Sequence, residues 1–266
     1  PDYTRPPEPP REPAYPADEI CGIISRDSRT PTDNREIVAR LIDDSRLDEF
    51  KRDYGETLIC GFARIHGFEV GILANNGVLF TESSLKAAHF IDICTKRSVP
   101  LLFLADVTGF MVGVAAERSG IAKAGAKMIT AMSSAKVPKF NLVIGNSYGA
   151  GHLAMCSRQF EPDFALGWPN GRSALMGPEQ AATMLAMVQR AKREREGTDW
   201  SSEAEDDFKK PIRKQFEDFQ SIYNFASNLW IDDVVDPTET RAVLGLLLDL
   251  AARKEPEDTT FGVFRM

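Results

Sequence analysis

Two glycine-containing turns hold the residues of this chain whose types and spacing could do chemistry. The first turn spans residues 106–113 (DVTGFMVG), and the second spans residues 145–152 (GNSYGAGH). Each follows an apolar run and precedes a stretch rich in helix-forming residues. A strand that ends in glycine and leads into a helix exposes backbone N–H groups at the positive end of the helix dipole. Such amides stabilise negative charge on an oxygen, so the sequence predicts chemistry done by backbone groups.

The glycine pattern by itself does not identify a ligand. Turns of this kind also occur for tight geometry alone, because glycine adopts backbone conformations that other residues avoid. No Gly-Lys-Ser or Gly-Lys-Thr sequence completes a phosphate-binding loop, and Gly145, Gly149 and Gly151 do not have the dinucleotide-binding spacing. The turns therefore favour anion binding in general, with a purely structural role as the alternative.

Side chains offer few candidates for catalysis. His66, His89 and His152 are not at metal-ligand spacing, so we expect no metal site. His66 is predicted to face solvent in a hairpin turn, whereas His152 directly follows the second glycine turn and is the histidine expected beside a ligand. Lys86 lies four residues after Glu82, which is the spacing of a surface ion pair on a helix. An enzymatic function must therefore rely on the glycine turns or on a second domain.

Composition narrows the class of protein. The 266 residues carry a net charge of −7, which argues against nucleic acid as a partner, and no apolar run approaches the length of a membrane span. Four cysteines without a C-x-x-C pair indicate reduced thiols in an intracellular protein. The chain begins with Pro1 and has no signal-peptide pattern, so we expect a fragment or a processed product.

The elements that position the turns alternate between strands and helices, which predicts an α/β fold with parallel crossovers. Residues 1–30 are expected to form a proline-rich N-terminal arm or linker, and residues 31–266 a domain. Charged residues 191–218 predict a solvated helical excursion, and the apolar residues 260–266 are expected to dock on another surface. The predicted helices cover 35–42, 44–51, 83–94, 120–134, 151–158, 179–190 and 239–253, and the predicted strands cover 57–65, 69–74, 99–105, 140–144 and 164–168.

Several segments together resemble a known family. From about residue 15 to the last residue, the chain resembles the carboxyltransferase (β) subunits of biotin-dependent acyl-CoA carboxylases, and the resemblance is strongest to those that act on 3-methylcrotonyl-CoA. The segments that carry it are 75–80, 86–90, 108–113, 120–123, 147–151, 168–170, 176–182, 236–241 and 261–266.

The resemblance implies a crotonase-like (ClpP/crotonase) fold of stacked ββα units, with a mainly parallel sheet and a second, smaller sheet. It further implies that residues 31–266 form the CoA carboxyltransferase C-terminal domain of a two-domain subunit. Such a domain takes part in moving a carboxyl group from carboxybiotin to an acyl-CoA, with a 3-methylcrotonyl-CoA-like substrate favoured here. The isolated domain is expected to be inactive, because the acyl-CoA site of these enzymes lies mainly on the first domain.

The resemblance also implies roles for individual residues. The amides of Ala150 and Gly151 would form a backbone oxyanion hole for the ureido oxygen of biotin. The implied biotin-binding residues are Gly109, Phe110, Gly149, Ala150, Gly151 and His152, and the implied acyl-CoA-binding residues are Asn75, Asn76 and Lys86. At Asn146 and residues 152–154 the chain departs from the family pattern, with side chains that crowd the expected site.

Implied partners are an N-terminal carboxyltransferase domain, an α subunit that carries biotin carboxylase and the biotin carrier, and further copies of the same chain; neither nucleic acid nor membrane is expected. The expected location is the cytoplasm of a bacterium, or the mitochondrial matrix in a eukaryote. Two alternatives stay open: a carboxylase for another acyl-CoA, such as propionyl-CoA or geranyl-CoA, and a non-catalytic module that binds CoA or the biotin carrier.

Overall fold

The structure, a computed structural model, describes residues 8–24, 32–254, 257 and 259. These residues build one mixed β-sheet whose neighbouring strands follow the order β1-β2-β3-β4-β5-β6-β8, with β7 beside the end of β5. The strands are β1 Asp48–Glu49, β2 Leu58–Ile65, β3 Phe68–Asn75, β4 Leu101–Val107, β5 Lys139–Tyr148, β6 Phe164–Gly167, β7 Arg172–Ala174 and β8 Asp233–Val234.

Helices cover both faces of the sheet. They are α1 Ile20–Ile23, α2 Asn34–Leu41, α3 Thr81–Lys96, α4 Val114–Arg118, α5 Ile121–Ser134, α6 Gly149–Ala154, α7 Pro178–Glu196, α8 Ser202–Phe219, α9 Ile222–Ser227 and α10 Thr240–Ala251. On one face, α3 and α5 contribute Phe90 and Met128 to a buried apolar cluster. On the other face, α2 and α10 contribute Ile37 and Leu244 to a second cluster. Because the central strands are buried on both sides, apolar residues dominate them, and most of their polar residues lie near the strand ends.

The strand pairing confirms the expected alternation. Strands β2 and β3 form an antiparallel hairpin, and from β3 through β6 each neighbouring pair is parallel. Helix α3 connects β3 to β4, and α5 connects β4 to β5, so β2, β3 and α3 form the expected ββα unit. Parallel neighbours end at the same edge of the sheet, which brings the residues after β4 and β5 together.

Two sequence-based expectations about this framework are wrong. The expected second sheet is not separate within the described residues, because β7 pairs with Asn146–Tyr148 at the far end of the ten-residue β5. The helix expected at 44–51 is replaced by a short 3-10 turn and by β1. Asp44 and Ser45 have φ values of 54° and 53°, in the left-handed region that interrupts a helix.

The N-terminal arm packs on the sheet where it is described. Ile20 is fully buried in the cluster between α2 and α10. The Arg11 carbonyl accepts a hydrogen bond from the guanidinium of Arg241, and the Ala14 amide donates to Ser45 Oγ. Residues 25–31 are outside the described part of the chain, so a domain boundary after residue 30 stays a prediction.

The remaining helices lie where the sequence predicts them, with small changes in their bounds. The charge-rich excursion is confirmed as the end of α7 followed by α8, which pack together and are joined by an ion pair between Arg213 and Glu179. The helix expected at 151–158 is α6, which begins earlier and ends at Ala154, before Cys156 with its φ of 58°. The apolar tail at 260–266 lies outside the described residues.

Candidate functional site

The two glycine turns meet at the carboxyl edge of the sheet. Strands β4 and β5 run side by side, and their register shifts between the pairs Ala105–Val143 and Val107–Ser147. A Cβ atom placed on Gly151 would lie 2.9 Å from the Cα of Gly109 and 3.1 Å from the Val107 side chain. Only glycine fits at position 151 without displacing backbone, so the two turns are in contact, and their lining of one binding site stays a prediction.

The second turn leads directly from strand to helix. Tyr148 ends β5 in an extended conformation, and Gly149 begins α6 with a φ of 53°. The first amides of a helix have no acceptor within it, and the Tyr148 side chain makes no capping hydrogen bond to the described part of the chain. Ala150 is exposed, whereas Gly151 is buried against the first turn. The turn thus has the strand-to-helix form that an oxyanion site requires, and the direction of its amides stays a prediction.

The first turn is anchored by backbone contacts and has open space beside it. Leu79 donates its amide to the Gly109 carbonyl and accepts a hydrogen bond from the Met111 amide, at 3.1 and 2.8 Å. Gly109 has a φ of 142°, and a Cβ on it would meet no atom within 4 Å. Its conformation, rather than a lack of space, therefore favours glycine. The Phe110 ring packs against Gly125 of α5.

The Asp106 side chain, which residue spacing did not single out, contacts the backbone of the second turn. Asp106 Oδ1 accepts a hydrogen bond from the Asn146 amide at 2.9 Å, and the Asp106 amide donates to Asn75 Oδ1 at 3.1 Å. A Cβ on Gly145 would lie 2.4 Å from Asp106 Oδ1. Burial raises the pKa of Asp106 above its ordinary value. The sequence did contain a signal for this role, because Asp106 lies at the end of a predicted strand, three residues before Gly109.

His152 is held inside the structure on two sides. Its Nδ1 forms a hydrogen bond with Ser147 Oγ at 2.8 Å, and its ring meets the edge of Phe225 with centroids 6.2 Å apart. Burial lowers the pKa of His152 to about 4, so the ring is neutral at pH 7. A direct contact between His152 and biotin stays a prediction.

The asparagines assigned to acyl-CoA hold the start of α2. Asn75 is fully buried, and its carbonyl accepts a hydrogen bond from Asn34 Nδ2 at 2.6 Å. Asn76 Oδ1 accepts from the Asn34 amide at 3.0 Å. Both asparagines thus have structural partners in the chain, and their contact with an acyl-CoA stays a prediction.

Lys86 is buried, and the proposed surface pair with Glu82 is wrong. The Lys86 side chain has no exposed area, and its Nζ has no hydrogen-bond partner among the described residues, whereas Glu82 is exposed. Burial lowers the pKa of Lys86, and the neighbouring Cys60 thiol, also buried, has its pKa raised to about 12. Packing of α3 on β2 decided this orientation, which helical spacing could not reveal. Its role toward acyl-CoA stays a prediction.

His66 also differs from expectation. Instead of facing solvent, it is half-buried against α10, where a Cβ on Gly245 would lie 2.4 Å from His66 Cδ2. Burial and the nearby Arg241 lower the pKa of His66. Over the described ranges, no group of three or more acidic, cysteine or histidine residues is arranged to hold a metal ion. Within those same ranges, none of the helices combines the length and hydrophobicity needed to span a bilayer.

Several large apolar side chains in and after the two turns, and on α7, are exposed. Val112 and Val114 flank Gly113 and are 82% and 68% exposed. Leu175, whose carbonyl would lie 3.0 Å from a Cβ on Gly149, is 79% exposed. Helix α7 adds further exposed apolar residues, namely Met184, Leu185, Met187 and Val188. Exposed apolar side chains that form a contiguous patch are typical of an interaction site.

Comparison with known proteins identifies the family. A family model described as the carboxyl transferase domain matches residues 1–262. The chain is 50% identical over 257 residues to the mitochondrial methylcrotonoyl-CoA carboxylase beta chain of Dictyostelium discoideum, covering 96% of this chain and 44% of that one. It is 51% identical over 255 residues to the biotin-dependent 3-methylcrotonyl-coenzyme A carboxylase beta1 subunit of Mycobacterium tuberculosis, covering 96% and 48%. It thus spans about half the length of these relatives and corresponds to their C-terminal half.

Solved structures agree with the fold. The beta subunit of Pseudomonas aeruginosa geranyl-CoA carboxylase superposes with a TM-score of 0.87 at 39% identity, covering 98% of this chain and 50% of that one. A transcarboxylase 12S structure, solved as a hexamer with hydrolysed methylmalonyl-coenzyme A bound, gives a TM-score of 0.85 at 32% identity, with coverage of 98% and 50%. These neighbours are carboxyltransferase subunits with a crotonase-like fold, so the predicted fold class is confirmed.

Proposed function

The chain belongs to the carboxyl transferase domain family, and we propose that it forms the biotin-binding half of a carboxyltransferase that carboxylates an acyl-CoA. The observation that carries this proposal is the contact between the two glycine turns, which places the uncapped start of α6 beside open space at Gly109. A 3-methylcrotonyl-CoA-like substrate is favoured, because relatives named for that substrate are 50–51% identical to the chain.

The residues of the two glycine turns, at the carboxyl edge of the sheet, fit a small ligand with a polar oxygen. A Cβ atom at Gly151 would fill the contact between the turns, whereas a Cβ at Gly109 would meet nothing within 4 Å. Gly109, Phe110, Gly149, Ala150, Gly151 and His152 would hold the biotin ring. Biotin, when bound as its carboxylated form, supplies the carboxyl group to be transferred.

The residues of this chain contribute to the proposed reaction by electrostatic stabilisation. The Ala150 and Gly151 amides lie at the start of a helix, where two fixed N–H donors stabilise developing negative charge without reorganising. The Asp106 carboxylate accepts a hydrogen bond from the Asn146 amide and so holds the backbone at the start of the second turn. Loss of one such donor typically lowers the rate by about 10²–10³-fold.

The proposal extends to partners by analogy with the relatives. An N-terminal carboxyltransferase domain would bring most of the acyl-CoA site, with Asn75, Asn76 and Lys86 contributing from this chain. A biotin carboxylase and carrier α subunit would deliver the carboxyl group, and copies of the chain would assemble, as transcarboxylase 12S does in its hexamer. The location would be the bacterial cytoplasm or, in a eukaryote, the mitochondrial matrix; the Dictyostelium relative is named as mitochondrial.

Removing one amide donor tests the proposal. Gly151→Pro is a poor choice, because its side chain would collide with Gly109. Ala150 is exposed in the first helical turn, where proline is tolerated, so Ala150→Pro removes the N–H with little disturbance. In the complete enzyme we expect carboxyl transfer to fall by about 10²–10³-fold, with the acyl-CoA dissociation constant within about twofold of wild type.

Ala150→Ser, which keeps the amide, is the matched control. Equal loss of transfer and of acyl-CoA binding in the proline variant would mean that the turn is structural, and normal transfer would place the biotin site elsewhere. Comparison of kcat/KM for 3-methylcrotonyl-CoA, propionyl-CoA and geranyl-CoA distinguishes the substrates. A wild-type enzyme that binds acyl-CoA without turnover would favour the non-catalytic binding module.

A further inference from the structure

We propose that Ser147 and His152 form a side-chain clamp that fixes the second glycine turn, which makes both of them positioning residues for carboxyl transfer. The hydrogen bond between Ser147 Oγ and His152 Nδ1, 2.8 Å long, spans the four residues Tyr148 to Gly151. These four residues include the two amides assigned above to charge stabilisation. The catalytic consequence therefore rests on the proposed function, whereas the clamp itself is a statement about this chain alone.

One side of the clamp is fixed in the sheet. Ser147 is fully buried near the end of β5 and is paired with Val107 of β4 and with Ser173 of β7. The Ser147 carbonyl also accepts a hydrogen bond from Ser173 Oγ at 2.9 Å. The Ser147 hydroxyl therefore has a fixed position relative to the turn.

The other side of the clamp is supported by aromatic packing. The edge of Phe225, which is 8% exposed, meets the His152 ring. Phe225 is in turn packed against Trp230, with ring centroids 4.9 Å apart. The His152 ring is thus held by a hydrogen bond at Nδ1 and by an apolar wall from α9 and the loop that follows it.

The second glycine turn needs such support because the short helix and the glycines that form it have little stability of their own. Helix α6 has only six residues, and short helices are marginal without tertiary contacts. Gly149 and Gly151 have more conformational freedom than other residues, and the Tyr148 side chain supplies no cap within the described chain. A hydrogen bond from the strand to the helix restricts the intervening backbone, so the two amides keep one orientation.

A matched pair of substitutions isolates the hydrogen bond. The side-chain amide of asparagine places a polar atom where His has Nδ1, whereas glutamine places one where His has Nε2. His152→Asn therefore retains a partner for Ser147, and His152→Gln removes it with a side chain of similar polarity. Ser147→Ala removes the bond from the other side. Ser157→Ala is the control, because Ser157 is also fully buried but bonds to Gln159 beyond the helix, at 2.7 Å.

Hydrogen exchange of the Met155 amide gives a readout that does not depend on activity. This amide donates to the Gly151 carbonyl and so reports on the helix that the clamp holds. In the complete enzyme, Ser147→Ala and His152→Gln should each accelerate its exchange about fivefold, the effect of losing one ordinary hydrogen bond. His152→Asn should exchange more slowly than His152→Gln, and Ser157→Ala should match wild type.

Kinetics then connect the clamp to the reaction. Ser147→Ala and His152→Gln should lower kcat about tenfold, with the KM for acyl-CoA within about twofold, and the double variant should be no slower than either single one. His152→Asn should recover part of the lost kcat.

The outcomes separate this proposal from the proposed function. Equal exchange rates in His152→Asn and His152→Gln would overturn the clamp, as would a wild-type rate in Ser147→Ala or acceleration in Ser157→Ala. A fall in kcat without faster exchange would also overturn it. Faster exchange with unchanged kcat would uphold the clamp and overturn the assignment of this turn to charge stabilisation.

Discussion

The two ends of the sheet carry turns with positive φ values, and the polar groups around these turns differ. At the hairpin end, His66 and Gly67 have φ values of 49° and 81°, and both of their amides donate to the buried carboxylate of Asp43. The same carboxylate accepts a hydrogen bond from Arg241 at 2.8 Å. The turn between β2 and β3 therefore directs its donors into the protein, where they stabilise the fold.

At the carboxyl edge, the polar side chains support the turn without occupying it. Asp106 lies beneath Asn146, and Ser147 and His152 bond to each other across Tyr148 to Gly151. Under the proposed function, the first amides of α6 serve a ligand rather than an internal acceptor. A positive-φ turn is therefore not in itself a site: what matters is whether an internal acceptor already takes its donors.

The largest effect that this comparison predicts is at the hairpin end. Arg241→Ala leaves the Asp43 carboxylate buried without its cationic partner, since the two side chains are only 7% and 6% exposed. We expect the free energy of unfolding to fall by about 3–5 kcal/mol, measured by urea denaturation. The exposed Arg11–Asp44 pair is the control, and Arg11→Ala, which avoids the left-handed backbone at Asp44, should cost about 0–1 kcal/mol. Similar costs for both variants would remove the distinction between the two turns.

The next prediction concerns pH dependence at the carboxyl edge. The pKa of His152 is lowered from 6.5 to about 4 in the folded chain, so between these values the unfolded chain binds a proton that the native one does not. Stability therefore falls as pH decreases from about 6.5 to 4, by up to about 3 kcal/mol from this residue. His66 and His89 also have lowered pKa values, so the test is the difference between wild type and His152→Asn. Parallel stability curves would contradict the prediction.

The smallest effect sharpens the contact between the two glycine turns. Gly151→Ala forces a Cβ within 2.9 Å of the Gly109 backbone, and we expect a loss of about 1–3 kcal/mol together with reduced carboxyl transfer. Gly22→Ala is the matched control, because a Cβ there meets no atom within 4 Å, and its effect should stay within about 0.5 kcal/mol. A crystal structure of Gly151→Ala with unmoved turns and full stability would show that the contact is looser than described.

Local patterns account for the part of the fold that was predicted from sequence. Asp33 caps α2 by accepting from the Arg35 amide, and the turn at His66–Gly67 joins two apolar runs into the expected hairpin. The order of strands and helices is likewise correct. These features depend on residues close together in the chain, so their signals survive in the sequence alone. The helix expected at 44–51 failed because pairing of Asp48 and Glu49 with β2 replaced the local preference.

The sequence by itself determined where the two glycine turns lie, which elements flank them and which family the chain resembles. Only the tertiary structure decided that Gly151 touches Gly109, that Asp106 lies beneath Asn146 and that His152 bonds to Ser147. It also decided that Lys86 is buried rather than paired on the surface. The physical reason is that contacts between separate elements depend on register, helix orientation and packing, which residue spacing within one element does not specify.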